Sequence, residues 1–190
     1  MISFTPFPIL ETKNLILRRM NYNDIADLFE MRSDPRMHQF TDTKIEKSTE
    51  ETLAYIDKMN KGIDDNQWVI WVIEHKQSNR VIGSISIWNI DYKKNSGELG
   101  YGINPKYQGM GFMKESLTQV VEYGIDVMAL NELYAYTEEE NLRSIKLLEK
   151  CNFKKIARVD EQGYFNKNKV FHMVIYKITK SKNSIGSESN

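Results

Sequence analysis

Glu98-Leu99-Gly100-Tyr101-Gly102-Ile103-Asn104-Pro105-Lys106-Tyr107-Gln108-Gly109-Met110-Gly111-Phe112-Met113 joins an extended run to an amphipathic helix through a glycine-bearing turn. Glycine lets backbone come close to a ligand, and the free N–H groups of a helix's first turn converge on one anion. Residues 108 to 113 place Gln108, Gly109 and Gly111 at that junction, so the stretch can hold a pyrophosphate without any cationic side chain. Two better-known phosphate loops do not fit. After Gly109 and Gly111 the next fingerprint position is Lys114, not Gly or Ala, and no Gly-Lys-Ser/Thr triplet occurs in the chain. Taken alone, such a turn is more often a plain strand-to-helix connection, and the surrounding elements have to decide.

Downstream, Met113, Leu117, Val120, Val121, Ile125 and Met128 recur at helical spacing and predict one buried stripe on a long helix. Upstream, Gln67 to Glu74 and Val81 to Ile90 are rich in β-branched and aromatic residues and flank the polar stretch His75 to Arg80, which predicts a hairpin. The next strand is Glu98 to Ile103, where Gly100 and Gly102, weak strand formers, suggest a bulge. Nearer the N-terminus, Leu15 to Arg19 reads as a first strand, and Asn21 to Asp24 as the cap of a helix carrying Ile25, Leu28, Phe29 and Met31. A second helix is expected from about Lys47 to Lys61, with Leu53, Ile56 and Met59 inward, Ser48-Thr49-Glu50-Glu51 as a capping box and Gly62 as its stop. After the long helix come a strand over Leu133 to Thr137 and a helix over Asn141 to Cys151 with Ile145, Leu147 and Leu148 inward. Asn152 is expected to end that helix in left-handed geometry. Two strands, Lys154 to Asp160 and Val170 to Ile178, then flank a turn at Gly163 to Asn168. The polar tail Ser181 to Asn190 is expected to be disordered. This order predicts an α/β (α+β) fold, a mixed sheet with helices on both faces and no regular doubly wound repeat.

The chain has 190 residues, enough for one domain. Lys plus Arg and Asp plus Glu each total 26, so a net charge of zero gives no global attraction to nucleic acid or to an anionic membrane. The first twenty residues lack the basic start and apolar core of a secretory signal, and no apolar run approaches a membrane span. The single cysteine, Cys151, excludes an intramolecular disulfide and a multi-cysteine zinc site, while His38, His75 and His172 lie far apart in sequence. These features predict a cytoplasmic protein with no nucleic-acid partner, no membrane contact and no metal.

Set in this order of elements, the residues resemble the GCN5-related N-acetyltransferase (GNAT) family, and within it the ribosomal-protein N-terminal acetyltransferase branch, from Leu10-Glu11-Thr12 to Tyr176. The family's acetyl-CoA motif is Gln or Arg, two variable residues, Gly, one variable, then Gly or Ala. Gln108-Gly109-Met110-Gly111-Phe112-Met113 follows it except at Met113. The branch's Glu-Asn-x-x-Ser helix and closing Gly-Phe are matched by Glu140-Asn141-Leu142-Arg143-Ser144 and Asn152-Phe153, with Asn152 replacing Gly. The resemblance implies one N-acetyltransferase domain over residues 1–180, a mostly antiparallel sheet splayed at its centre, and acetyl-CoA as co-substrate.

It also implies roles. The amides of Gln108, Gly109, Met110, Gly111, Phe112 and Met113 would hold the pyrophosphate, and backbone near Tyr101, Gly102 and Ile103 would meet the pantetheine and the thioester oxygen. Asn141 would hydrogen-bond the pantetheine arm. Glu98 stands where many members carry the base that deprotonates the incoming ammonium. Ser144 would protonate or hydrogen-bond the departing thiolate, because the tyrosine that many members carry one turn later is here Leu148. Read without the family, Glu98 has a solvated strand glutamate as its lesser alternative, Ser144 is equally a small packing residue, and Tyr101, Tyr134, Tyr136 and Tyr164 are unassigned alternatives as acids, each more often structural. Trp88, Asn89, Asp91, Tyr92 and Tyr164-Phe165 are candidates for shaping an acceptor groove, against an exposed hairpin end. Glu138-Glu139-Glu140 either attracts a cationic acceptor or is a solvated strand end. His172 and Cys151 read as structural. The acceptor implied is an amine: foremost a protein or peptide N-terminal α-amine, alternatively a small amine such as a polyamine, amino acid or antibiotic. A CoA-binding regulatory protein without chemistry is the competing class, and monomer and homodimer both fit.

Overall fold

Eight strands make one sheet. They are β1 (Leu10–Glu11), β2 (Leu15–Arg18), β3 (Val69–His75), β4 (Arg80–Asp91), β5 (Ser96–Ile103), β6 (Glu132–Glu138), β7 (Lys154–Gln162) and β8 (Val170–Thr179), in the spatial order β1-β2-β3-β4-β5-β6-β8-β7. The helices are α1 (Ile25–Arg32), α2 (Thr49–Asp64), α3 (Phe112–Glu122) and α4 (Leu142–Lys150). This computed structural model describes residues 3–180, and the tail expected to be disordered, 181–190, lies outside them. No helix among the described residues is long and apolar enough to cross a membrane.

Every neighbouring pair of strands is antiparallel except β5 and β6, which run parallel and pair only over Ser96–Leu99 against Glu132–Ala135. Beyond Leu99 and Ala135 the two strands part, so the sheet is splayed at its middle as the resemblance implied. Strand parity sets the faces. On β4, Ile85 and Ile87 are fully buried, whereas the intervening Ser84 and Ser86 are half-buried and Trp88 is exposed. The core gathers Leu15, Leu17, Trp71, Ile73, Ile85 and Ile87 from the strands with Ile56 and Ile63 of α2 and Leu117 and Val120 of α3.

Several sequence expectations need correction. Gly62 does not stop α2 but lies within it, because a Cβ there would sit 2.0 Å from Cζ2 of Trp68, whose ring crosses the helix at that point. The stop is Asn66 in left-handed geometry (φ 54), with Asn66 N donating to Ile63 O at 3.0 Å and Gln67 N to Gly62 O at 2.9 Å. That pair of bonds is a Schellman closure. Ser48 is the N-cap of α2 but its side chain does not cap it, since Glu51 pairs with Lys44 and takes the amide of Lys47 at 2.6 Å instead. Leu53 is 38% exposed rather than inward. The β4–β5 register runs unbroken through Gly100 and Gly102, and the bulge falls on β4, where Asn89 and Ile90 oppose Gly97. Gly100 instead permits close approach: a Cβ there would lie 3.0 Å from Ser86 Oγ. The long helix ends at Glu122 and widens into a π turn over Tyr123–Val127, and a two-residue strand, β1, precedes the expected first one. At the expected cap region, Asn21 and Asp24 form a capping box on the short 3-10 turn Tyr22–Asp24 that leads into α1, and Asn152 is left-handed (φ 65) after α4.

Candidate active site

The glycine-bearing turn between β5 and α3 supplies unused amides. Gly109 and Gly111 have φ of 78° and 86°, which explains glycine at both, and a Cβ on either would meet no atom within 4 Å. Gly111 is the N-cap of α3, and the first internal bond of that helix runs from Glu115 N to Gly111 O at 3.0 Å. Among the described residues no backbone acceptor takes the amides from Gly109 to Lys114. They open on free space at the positive end of a helix dipole. Met113, the departure from the family motif, turns into the core at 8% exposure, and Phe112 packs against His75 with ring centroids 4.9 Å apart. Both thus contribute amides to the turn while their side chains anchor it. Met110 is exposed. The Gln108 side chain accepts from Arg143 of α4 and donates to the Ile103 carbonyl at 3.4 Å, tying the turn to the end of β5.

Where β5 and β6 part, a cavity of about 610 Å³ opens. It is lined by Glu98, Leu99, Gly100 and Tyr101 of β5, Tyr136, Thr137 and Glu138 of β6, and Asn141 and Ser144 at the start of α4. Glu98 and Tyr101, three positions apart on one strand, point to opposite faces, so the cavity has a carboxylate on one side of the sheet and a phenol on the other. Asn141 caps α4, its Oδ1 accepting from Ser144 N at 3.2 Å, while its NH2 group has no protein partner among the described residues. The hydroxyls of Tyr101 and Ser144 lie 2.8 Å apart. Burial pushes the Tyr101 phenol up to about 12, against the lowering effect of that bond. Burial also raises the Glu98 carboxyl above the ordinary carboxylate value; a hydrogen bond from Asn89 at 2.6 Å works against the shift, and the charge of Glu161 adds to it. The sequence candidates Glu98, Tyr101, Asn141 and Ser144 are therefore brought together, and Leu148 is fully buried. Of the other tyrosines, Tyr134 donates to Glu132 and Tyr164 is 78% exposed in the β7–β8 turn; neither lines the cavity.

The remaining walls come from places to which no motif points. Phe40, Thr41 and Asp42, between α1 and α2, face Glu161 and Gln162 of β7 and Phe171 and Met173 of β8, with Trp88 and Asn89 of β4 beside them. Asp42 ties two of these segments together: its carboxylate accepts the amides of Tyr164, Phe165 and Asn166. Tyr164 and Phe165 do not line the cavity themselves; their amides hold Asp42, which does. Asp91 and Tyr92 stay outside; Asp91 takes the turn amides of Lys93 and Lys94, and the Tyr92 hydroxyl donates to Asn66 O. Glu138 is not a solvated strand end but is 5% exposed, with an oxygen taking the amide of Glu140 at 2.7 Å. Asp42, Glu98, Glu138 and Glu161 all line the cavity, and no Lys, Arg or His does among the described residues. Nothing in sequence marks Glu161, or links Asp42 to a turn 122 residues away.

Free amides at a helix start, and a gap between diverging strands with a carboxylate on one face and hydroxyls on the other, are the arrangement of acyltransferases that draw on a CoA thioester. The Acetyltransferase (GNAT) domain model matches residues 14–154, and the chain belongs to that family, whose members transfer acetyl groups from acetyl-CoA. It is 29% identical over 160 residues to the uncharacterized N-acetyltransferase YoaA of Bacillus subtilis, covering 84% of this chain and 90% of the relative. It is 30% identical over 107 residues to the spermidine N(1)-acetyltransferase of Vibrio cholerae, covering 56% of this chain and 61% of the relative. The ribosomal L7/L12 α-N-protein acetyltransferase RimL, solved with coenzyme A, superposes with a TM-score of 0.81 at 17% identity over 90% of this chain and 98% of its own.

Proposed function

We propose that this chain, through a catalytic unit spanning residues 1–180, acetylates a primary amine that carries further positive charge. The observation that supports the charge is the cavity lining: four carboxylates with aromatic rings, and no cation among the described residues. Such a wall attracts ammonium groups and repels anionic acceptors. A small polyamine-like molecule satisfies it, in keeping with the spermidine acetyltransferase among the relatives. A protein N-terminal α-amine, the acceptor that the resemblance put first, satisfies it only where basic residues follow the terminus.

In this reading the amides of Gly109 to Lys114 hold the pyrophosphate, and the NH2 group of Asn141 bonds the pantetheine arm as it enters the splay. Glu98 takes a proton from the ammonium, directly or through water, which frees the nitrogen lone pair. The nitrogen attacks the thioester carbonyl carbon, and the oxygen's developing charge is met by β5 backbone. The adduct nitrogen gives its second proton to Glu98, which has passed the first to water, and the C–S bond breaks with its electron pair going to sulfur, beside Ser144. The raised Glu98 pKa suits the task, since a base titrating nearer neutrality accepts the proton more readily than an ordinary carboxylate.

The test is CoA release with spermidine, with a neutral-tailed monoamine of similar length, and with basic and acidic N-terminal peptides. Spermidine or the basic peptide is expected to show kcat/KM at least about tenfold above its uncharged or acidic counterpart, as one well-placed charge contact implies. Equal turnover of charged and neutral acceptors would remove the charge argument. No amine-stimulated release from any acceptor would remove the acetyl-transfer reading.

A further inference from the structure

We propose that Tyr101 is a positioning residue for the leaving sulfur: its phenol donates to Ser144 Oγ, and so leaves the serine proton free to bond the departing thiolate. The inference rests on the acetyl-transfer reading above and adds a second hydroxyl to it. Two hydroxyls 2.8 Å apart own two protons, and only one can lie between them. A phenol is a far stronger acid than an aliphatic alcohol and hence the better donor of the pair. The proton between the oxygens therefore belongs to Tyr101, and that of Ser144 is directed outward.

Both residues are held. Tyr101 sits on an interior strand, paired with Ile85 of β4. Ser144 stands in the first turn of α4, its amide fixed by the Asn141 side chain. The two line the cavity together although they stand 43 positions apart in the chain.

The same geometry limits what the pair can do. Burial keeps the phenol protonated up to about 12. A thiolate whose conjugate acid has a pKa of about 8.5 is too weak a base to remove that proton, by roughly three orders of magnitude, and an aliphatic alcohol is weaker still as an acid. The chain Tyr101–Ser144–sulfur therefore works as two hydrogen bonds in series that stabilise a thiolate, with no proton delivered. The C–S electron pair stays on sulfur. Of the two protons the ammonium loses, the first passes through Glu98 to water before the attack and the second rests on Glu98, and the CoA thiolate is protonated by solvent after release, so atoms and charges balance with water as the only further reactant.

The test compares wild type with Tyr101→Phe, Ser144→Ala and the double variant, by CoA release under chemistry-limited conditions and by acetyl-CoA titration. Tyr101→Phe is expected to lower kcat about tenfold and Ser144→Ala about tenfold to a hundredfold, with amine KM and acetyl-CoA affinity held within about twofold. The double variant is expected to match Ser144→Ala, because Tyr101 acts only through the serine. The kcat of wild type should show no falling alkaline limb up to pH 10. Single effects that multiply in the double variant, full kcat in Tyr101→Phe, or an alkaline limb that Tyr101→Phe abolishes would each overturn the inference while leaving acetyl transfer intact. If amines do not stimulate CoA release in wild type, the acetyl-transfer reading falls first and this one with it.

Discussion

Replacing Gly62 by alanine sets a local rule against a tertiary contact, and the two predict opposite signs. Glycine inside a helix is about 1 kcal/mol less favourable than alanine, so α2 on its own would gain by the change. The added Cβ, however, would lie 2.0 Å, 2.1 Å and 2.6 Å from Cζ2, Cε2 and Nε1 of Trp68. No real contact is that short, so the indole has to move. Moving it breaks the bond from Trp68 Nε1 to Met59 O, 3.1 Å long, and displaces a ring that packs against the core and lines a cavity with Tyr55, Met59 and Ile70. Overpacking and the lost bond together cost about 2–3 kcal/mol, against the gain of about 1. The net loss is about 1–2 kcal/mol, which for a chain of this size lowers Tm by about 3–6 °C. Calorimetric melting, with urea unfolding to check that the slope is unchanged, measures the loss, and tryptophan emission reports the ring. A Tm at or above wild type with unshifted emission would show that Trp68 does not cross the helix at Gly62.

Glu98→Gln keeps shape and removes basicity, so kcat at neutral pH should fall about 10²- to 10⁴-fold while acetyl-CoA affinity stays put. Because the Glu98 carboxyl is raised and acts as base only when ionised, the wild-type rate should climb with pH through a limb above the usual carboxylate range; if the variant retains that limb, some other group is the base. Gly111→Asp tolerates the left-handed backbone better than most substitutions but sets a negative charge before the free amides. Acetyl-CoA should bind at least about tenfold more weakly by calorimetry, and unchanged affinity in a folded variant would move the pyrophosphate elsewhere.

Much of the architecture was legible because its signals are local. The β-branched and aromatic runs over Val69–His75 and Val81–Ile90, the apolar stripe after Gly111 and the left-handed Asn152 each need only a few neighbouring residues, and so does the motif that brings Asn141 and Ser144 to a helix start. The failures share the opposite property. Whether Gly62 stops a helix or makes room for a ring depends on how Trp68 returns across α2, and no pattern in residues 48–64 encodes that. Gly100 and Gly102 were weak strand formers in sequence, yet the register through them is unbroken, because the kink is taken up by Asn89 on the neighbouring strand. Glu138 reads as one of three solvated acids until β8 and the α4 entry cover it. The contacts that shape the cavity, Asp42 with residues 164–166 and Tyr101 with Ser144, join segments that sequence places far apart.

The strand order follows the chain from β1 to β6, and only the last two are exchanged: β8 lies between β6 and β7. During synthesis the first six strands can therefore be laid down one beside the next as they emerge, whereas β7 appears with no neighbour to join. It must wait, unpaired, until Val170–Thr179 arrives to stand between it and β6. A translation product broken off before Val170 thus loses an interior strand rather than an edge, and with it the anchorage of Glu161 and of the turn that Asp42 grips. The turn ahead of α3 could be assembled in such a fragment while the carboxylate wall of the cavity was still missing, so on the proposed reading β8 completes the side of the cavity that meets the acceptor.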